Sequence, residues 1–421
     1  MDNMTDRFSQ PSLGVGLLGH PLGHSFSPII FKELGEEYKL YDVEKESAEA
    51  IIKSGNFVGL NVTVPHKRTA YESVDFLDKT AALCGAVNTV ILRGGLTYGY
   101  NTDFYGMKSM LEYYNIDVKD KVVTIFGRGG TAGMAKVLME YLGAKSVSML
   151  GRTDAPDYEN TEIIVNATPV GMYPNCDNAI CNVNDFKRLS GVVDAVYNPL
   201  RTRLVNQAKK AGIPACNGLY MLVAQAVKSY DIFFNKVTPR EKIDDVFKKI
   251  LWEQSNIVFV GMPSSGKTVI GQYIAASAKK RFVDVDAEIV RRAGMSIPEI
   301  FERYGEEHFR DLEQEVISEL SNGRGLLIAT GGGSVIRKAN REALAQNGFV
   351  IFLQRDTDLL ETTGRPLSKD KETIKRLFVE RLPYYKEVAD LEVENNGDIE
   401  SCKQKIISGI ENYFSHPTDI L

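Results

Sequence analysis

Residues 256–268 read Asn256-Ile-Val-Phe-Val-Gly-Met-Pro-Ser-Ser-Gly-Lys-Thr268, and residues 122–132 read Val122-Val-Thr-Ile-Phe-Gly-Arg-Gly-Gly-Thr-Ala132. In both, a short apolar run rich in β-branched residues stops at a glycine turn, and a helical pattern follows. Strand, tight turn and helix form the repeating unit of a parallel α/β sheet. The turn lies at the carboxyl end of the strand, where such sheets bind ligands. The fold class read from these stretches is therefore α/β, with one nucleotide-type turn in the first third of the chain and another in its middle third.

The two turns differ in specificity. Gly261-x-x-x-x-Gly266-Lys267-Thr268 has the full spacing of a P-loop. Backbone amides around Gly261, Ser264, Ser265 and Gly266 would cradle phosphates, Lys267 would reach the β/γ oxygens of ATP, and the Thr268 hydroxyl would meet Mg²⁺. Gly127-x-Gly129-Gly130-Thr131-Ala132 suits a dinucleotide, although a plain glycine turn competes with that reading. The next strand ends at Leu150 and continues Gly-Arg152-Thr153-Asp154. Arg152 and Thr153 suit the 2′-phosphate of NADP, while Asp154 keeps NAD as the minority alternative.

Working outward, the 421 residues are too many for one ordinary core and read as three blocks. Strand-like runs at 13–18, 38–43, 58–64 and 86–92 belong to the first. The second runs from 121 to 195 and is followed by a helical stretch over about 218–251. The third spans 256–414. Strands alternating with helices predict parallel pairing. A net charge of −5 gives no electrostatic footprint for nucleic acid or an anionic membrane. The five cysteines show no CxxC spacing, which argues against a disulfide framework or a zinc site. The N-terminal MDNMTDRFSQ lacks the apolar core of a signal peptide, so a cytoplasmic location is expected.

Polar residues gather at segment ends in the first block. They are His24-Ser25-Phe-Ser27-Pro28, Asn61-Val-Thr63-Val-Pro-His-Lys67, Ala86-Val-Asn88-Thr89 and Tyr100-Asn-Thr-Asp103. Such hydroxyls and amides suit a polyhydroxylated ligand, and a Lys and an Asp among them could form a proton-transfer pair. Each stretch taken singly also reads as a cap or turn, with Ser27-Pro28 as a helix start and Asp103 as an N-cap. In the third block, Asp284 and Asp286 read as one face of a strand end, serving a metal and a substrate hydroxyl. A helix N-cap at Asp286 competes. Thr330-Gly331-Gly332-Gly333 allows close backbone approach to a ligand, or is a simple loop.

HSFSP, NVTVPHK, GAVNT, GYNTDFYG, GRGGTAG, NATPVGM, DAVYNP and NGLYMLVAQA occur in this order over the first 250 residues. Together they resemble shikimate dehydrogenase. GMPSSGKT, FVDVD, AGMSIPEIFERYGEEHFRDLE, ATGGGSV, GRPL and RLPYYKEVAD, over about 255–414, resemble shikimate kinase. The resemblance implies a substrate-binding domain at 1–103 completed by helices at about 218–250, a Rossmann-like NADP domain at 104–217, and a P-loop kinase domain with a parallel sheet at 253–421. It implies that Ser25 and Ser27 hold a carboxylate, and that Asn61, Thr63, Asn88 and Gln225 bind the ring. Tyr197 would line the site, with Lys67 and Asp103 as the catalytic pair. In the kinase it implies Asp284 near Mg²⁺ and Asp286 as proton acceptor. Arg310, Gly331, Gly332, Gly333 and Arg381 would hold shikimate, Glu313 would orient Arg310, and Arg365 would come in on a lid.

The implied function is two consecutive steps, NADPH-dependent reduction of 3-dehydroshikimate and ATP-dependent phosphorylation of shikimate. Cofactors are NADP(H), ATP and Mg²⁺. Partners are small molecules, with neither nucleic acid nor membrane, and a homo-oligomer is left open. Two departures fall on the adenosine sides. Only eight residues separate Thr153 from Glu162, where the family has a helix and a strand, and 354–364 is short. Gly133 stands where a basic residue is common. The alternatives are a quinate/shikimate dehydrogenase using NAD, or one half kept as a non-catalytic binding module. Intact Lys67, Asp103, Lys267 and Asp286 oppose the second. The two halves are expected to work independently, joined by the short 252–255 junction.

Overall fold

Three sheets form from successive stretches of the computed structural model, which describes residues 14–22, 25–361 and 370–415. The first stretch contains β1 (Val15–Gly19), α1 (Ser27–Glu33), β2 (Lys39–Asp42), α2 (Lys45–Ser54), β3 (Gly59–Val62), α3 (Lys67–Ser73), β4 (Phe76–Leu77), α4 (Lys79–Cys84), β5 (Thr89–Arg93), β6 (Leu96–Tyr100) and α5 (Thr102–Tyr113). Its sheet has the order β2-β1-β3-β5-β6-β4. Contrary to the all-parallel expectation, β5 runs antiparallel to both β3 and β6. The reason is local. Gly94 (φ 59°) and Gly95 (φ 81°) both take the left-handed conformation between the paired residues Arg93 and Leu96. Two central residues with positive φ make the tight hairpin turn whose twist matches the strands.

The second stretch contains β7 (Val122–Phe126), α6 (Gly130–Tyr141), β8 (Ser146–Leu150), β9 (Ile163–Asn166), β10 (Gly191–Asp194), α7 (Arg203–Lys210), β11 (Ala215–Cys216), α8 (Leu219–Phe234) and α9 (Arg240–Gln254). The sheet is parallel, in the order β11-β10-β9-β7-β8. Every residue of β9 and β10 is buried, as strands covered on both faces require. β8 is an edge strand, and residues 151–162 run from it to β9 without helix or strand. The single helical stretch expected at 218–251 is two helices, because Asn235 turns left-handed (φ 51°) after α8.

The third stretch contains β12 (Asn256–Val260), α10 (Lys267–Ala278), β13 (Arg281–Asp284), α11 (Val285–Ala293), α12 (Ile297–Asn322), β14 (Leu326–Ala329), α13 (Lys338–Asn347), β15 (Gly348–Gln354), α14 (Lys371–Val388), β16 (Leu391–Glu394) and α15 (Ile399–Ser415). Its parallel sheet runs β13-β14-β12-β15-β16, with the P-loop strand β12 in the centre. No helix among the described residues is long and apolar enough to cross a membrane.

The chain divides into two compact units. One comprises Met1–Val170, Ala179–Tyr197 and Gln207–Ile250, and the other Gly171–Asn178, Asn198–Asn206 and Leu251–Leu421. The second unit thus includes a short strap, 198–206, that precedes it by some fifty residues of sequence. Within that unit Arg201 is 5% exposed and pairs with Asp390, 6% exposed, at 2.8 Å. Its guanidinium also donates to the Gly348 carbonyl. The strap backbone donates from Leu200 to Asn347 Oδ1 (2.9 Å) and from Arg201 to the Gln346 carbonyl (2.8 Å). Asp390 further accepts from Val350 N–H at 2.9 Å, which ties the strap to β15. Burial opposes the charge on Arg201, but Asp390 more than offsets it and raises the guanidinium pKa.

Removing one partner of a buried pair leaves the other charge uncompensated, at a cost of about 3–5 kcal/mol. Arg201→Ala should therefore destabilise the second unit by about that amount. Trp252 is the only tryptophan of the chain, belongs to this unit and packs on Phe414, so its fluorescence in urea reports the loss. Replacing both partners with apolar residues should restore most of the stability. An unchanged midpoint for Arg201→Ala would show that the strap contributes little.

Candidate functional site

The tips of β1, β3 and β5 and the first turns of α1, α3 and α5 surround a cavity of about 230 Å³ in the first unit. Ser25, Ser27, Asn61, Thr63, Lys67, Asn88, Asp103, Tyr197 and Gln225 all line it. Strand register brings them together, since Asn61 pairs with Thr89 and Thr89 with Tyr100 across three strands. Lys67 opens the helix after β3, and Asp103 lies in the first turn after β6. The Lys67 Nζ–Asp103 Oδ2 distance is 2.5 Å. The N-cap of α5 is Asn101, whose Oδ1 accepts from Phe104 N–H, so Asp103 is not the cap and its carboxylate is free to face Lys67. α8 presses against α5 at Gly106, where a Cβ would lie 2.5 Å from the Met221 carbonyl. That close approach brings Gln225 to the cavity wall.

Behind the wall lies a buried polar network. The Asn61 amide oxygen accepts from Tyr38 O–H at 2.8 Å, and its nitrogen donates to Ser229 Oγ at 2.7 Å. Asn88 Oδ1 accepts from Thr102 N–H at 2.7 Å. Burial raises the Tyr38 phenol well above its ordinary range, so it stays a donor. Burial also pushes the Cys84 thiol up to about 11, with the Asp103 and Asp78 charges adding to it.

At the dinucleotide-type turn, Gly127 has φ 123° and a Cβ there would sit 2.8 Å from the Ala167 carbonyl. Only glycine fits. Gly129, the N-cap of α6, and Gly130 have nothing within 4 Å of a Cβ position, so the helix N-terminus offers its amides to an open face. Thr131 and Ala132 continue the first turn. Arg152 and Thr153 are exposed beyond β8, the strand that pairs with β7. These residues fit a pyrophosphate with a phosphorylated ribose.

In the second unit the P-loop turns at Gly261 (φ 148°), Ser264 (φ 62°) and Gly266 (φ 99°) into α10. Lys267 is buried and donates to the Gly261 and Met262 carbonyls at 2.9 and 2.8 Å. Ser265 Oγ is buried without a hydrogen-bond partner among the described residues, as a loop shaped for an anion would leave it. Thr268 Oγ1 donates to Asp284 Oδ2 at 2.8 Å, so hydroxyl and carboxylate meet where Mg²⁺ would be held. The strand ends at Asp284, and Asp284 rather than Asp286 caps α11 by accepting from Ala287 N–H. Asp286 therefore lies in the first helical turn, not on a strand face with Asp284, because the backbone turns helical at Val285.

The glycine loop completes this site. Cβ atoms at Gly331 and Gly333 would lie 2.7 Å from Asp286 Oδ1 and 2.5 Å from the Arg310 guanidinium, and one at Gly332 would lie 2.4 Å from the Pro263 ring. The loop thus packs on the carboxylate, the guanidinium and the P-loop at once. Arg310 pairs with Glu313 at 2.8 Å and with Glu306 at 3.1 Å. Burial lowers its pKa, but Glu313 and then Glu306 reverse the effect, so the guanidinium stays charged. Glu313 is held in turn by Ser334 Oγ at 2.6 Å. Arg381 Nη1 donates to the Gly332 carbonyl at 3.1 Å, and its Nε is unsatisfied among the described residues. Arg365 lies outside the described residues.

A family model described as the shikimate dehydrogenase substrate binding domain matches residues 17–90, and one described as shikimate kinase matches residues 263–411. A shikimate dehydrogenase (NADP(+)) of Clostridium beijerinckii is 36% identical over 247 residues, which cover 52% of this chain and 90% of that protein. One of Methanococcus maripaludis is 37% identical over 256 residues, 53% of this chain and 91% of the relative. The crystal structure of a Thermus thermophilus shikimate 5-dehydrogenase in complex with NADP(H) and shikimate aligns with TM-score 0.52 and 27% identity, covering 56% of this chain and 99% of that one. The chain belongs to the shikimate dehydrogenase family. To the dehydrogenase it adds a shikimate kinase domain.

Several site-shaping residues of this dehydrogenase–kinase fusion have no sequence signal strong enough to find them. Tyr38, Thr102 and Ser229 support Asn61 and Asn88 from helices and strands remote in sequence. Tyr385 donates to the Gly332 carbonyl at 2.5 Å.

Next in sequence to the cavity-lining Pro21 and Leu22, His20 Nδ1 meets Asp42 Oδ1 at 2.6 Å, while Asp42 Oδ2 accepts from Leu22 N–H at 2.9 Å. The Asp42 hydrogen bond raises the His20 pKa above 6.5, and the Leu22 amide followed by His20 lowers that of Asp42. The His20 contribution to stability is then complete below pH 6.5 and is lost as pH rises through the raised value. That of Asp42 is complete above pH 3.8 and is lost as pH falls through the depressed one. NMR titration should place His20 above 6.5, and Asp42→Asn should return it toward 6.5. An unmoved midpoint in the variant would separate the two groups.

Proposed function

We propose that this chain reduces 3-dehydroshikimate to shikimate with NADPH and phosphorylates shikimate to shikimate 3-phosphate with ATP. The observation that carries the reading is the Lys67–Asp103 pair at 2.5 Å inside a polar cavity, in a chain that also holds a complete P-loop site. The hydroxyl that the first reaction creates is the one the second consumes. In this reading residues 1–103 with the helices of about 218–250 bind the ring acid, 104–217 bind NADP, and 253–421 form the kinase. The five free thiols fit a reducing cytoplasm.

In the first reaction bound NADPH supplies the hydride to C3. Ser25 and Ser27 hold the substrate carboxylate, and Asn61, Thr63, Asn88 and Gln225 hold the ring, with Tyr197 over it. As negative charge grows on the C3 oxygen, protonated Lys67 stabilises it and gives up a proton, and Asp103 keeps the ammonium aimed. Lys67 regains its proton from solvent. Arg152 and Thr153 take the 2′-phosphate.

In the second reaction Asp286 accepts the proton of the C3 hydroxyl, whose oxygen bonds to the γ-phosphorus as the bond to ADP breaks. Arg310, oriented by Glu313, and Arg381 hold the carboxylate, and Gly331, Gly332 and Gly333 let the ring approach the backbone. Lys267 exchanges its loop carbonyls for phosphate oxygens. Thr268 and Asp284 hold Mg²⁺, which supplies charge neutralisation when bound. Arg365 stabilises the transferring phosphoryl group.

Lys67→Ala should lower ketone reduction by about a hundredfold to ten-thousandfold while leaving phosphorylation near normal, and Lys267→Ala should do the reverse. Separate assays on each purified variant check this, and loss of both activities from either folded variant would contradict it. Arg152→Ala should raise KM for NADP far more than for NAD, because a hydrogen bond to a charged group contributes about 1.5–3 kcal/mol. Equal weakening would remove Arg152 from phosphate recognition.

A further inference from the structure

β7 and β8 are parallel neighbours with Phe126 beside Leu150, and Gly127 N–H donates to the Leu150 carbonyl at 2.9 Å. The turns that follow, 127–130 and 151–154, therefore lie side by side at the carboxyl edge. Arg128 reaches from the first turn to the second, where its Nη2 meets Asp154 Oδ2 at 2.6 Å. The same oxygen accepts from Gly151 N–H at 2.7 Å. A Cβ at Gly151 would lie 3.2 Å from the Arg128 guanidinium, so the arginine lies flat over this glycine. Arg152 stands exposed in the same turn.

An acidic residue at this strand end ordinarily accepts from the ribose 2′-hydroxyl and repels a 2′-phosphate. Here Asp154 is neutralised on Oδ2 by a cation from the neighbouring turn. A guanidinium carries five N–H groups, and among the described residues one of those of Arg128 bonds Asp154, which leaves others to meet a ligand. We propose that Arg128, anchored by Asp154, is a second cation for the 2′-phosphate of NADP, and that the pair decides between NADP and NAD. This rests on the NADP reading of the first unit. Asp154 acts through Arg128 and is a positioning residue. Removing Arg128 does two things at once: it takes away a phosphate ligand and frees a carboxylate suited to a 2′-hydroxyl.

The probes are adenosine 2′,5′-bisphosphate and 5′-AMP, titrated calorimetrically into the full chain. They differ only in the phosphate that Arg128 would read. Arg128 is 67% exposed, so solvent screening keeps its effect near the lower end for a charged contact. Arg128→Ala should weaken the bisphosphate about tenfold and leave 5′-AMP within about twofold. In turnover assays it should lower KM for NAD, and Arg128→Ala/Asp154→Asn should cancel that gain by removing the freed carboxylate. Arg128→Lys should recover part of the bisphosphate affinity. Equal loss of both probes, or no loss of either, would overturn the proposal while leaving the NADP reading standing. Failure of the unmodified chain to bind the bisphosphate more tightly than 5′-AMP would overturn the NADP reading itself and this proposal with it.

Discussion

The 2.5 Å contact between Lys67 and Asp103 forms only if β3, β5 and β6 pair in one register. Lys67 begins the helix after β3, and Asp103 belongs to the first helical turn after β6, two strands away. A slip of one residue in either pairing would turn Asn61 and Thr89 to the other face of the sheet and carry the carboxylate away from the ammonium. Register is held by features outside the pair. The two-glycine turn sets β5 against β6, and the buried bonds of Asn61 and Asn88 to Ser229 and Thr102 lock the strand ends to α8 and α5. Buried polar groups of this kind are costly unless all are satisfied, which makes the network intolerant of alternatives. The Lys67–Asp103 pair is therefore placed by a sheet, not by a flexible loop.

The two nucleotide turns solve a related problem with less apparatus. An open helix N-terminus beside a glycine that no side chain could replace is enough to seat phosphate. In the first unit that glycine is Gly127, crowded by the Ala167 carbonyl, and in the second it is Gly261, whose Cβ would fall 2.5 Å from the Leu353 carbonyl. What differs is the end of the strand that follows in sequence. After β8 comes the exposed Arg152, suited to a ribose phosphate, and β13 ends on Asp284, bonded to the Thr268 hydroxyl and suited to a divalent cation. One backbone device thus serves hydride and phosphoryl transfer, and side chains at the end of another strand, one away in the first unit and two away in the second, set the chemistry.

The strap 198–206 shows how a fusion becomes more than two enzymes in tandem. The second unit owns its five-stranded sheet, yet it fills one buried charge site with a guanidinium from between β10 and α7. Asp390 lies at the start of β16 and also holds β15 through Val350 N–H, so the ion pair sits on the pairing of two strands. The strands of the second unit's sheet all lie between residues 256 and 394, while the counter-ion of Asp390 comes from residue 201. A cut at 252 would leave Asp390 buried without its counter-ion.

Much was legible in the sequence because local physics is strict there. A P-loop spacing and a glycine turn between an apolar run and a helix each admit few backbone conformations, so Gly127, Gly261, Lys267 and Thr268 could be placed from order alone. The family resemblance extended this to Lys67, Asp103 and the cavity residues, which on local grounds were equally good as caps. Other features had no local signature. That Asn101 caps α5 and Asp284 caps α11 depends on where helical geometry begins, by one or two residues. The Arg201–Asp390 and Arg128–Asp154 pairs join residues 189 and 26 apart in sequence. A charged residue on a turn reads as solvated until a neighbouring strand brings its partner within hydrogen-bond reach. Residue order determined the turns and the chemistry available at them, and tertiary pairing alone decided which charges meet, because Coulomb and hydrogen-bond energies depend on distance in space rather than along the chain.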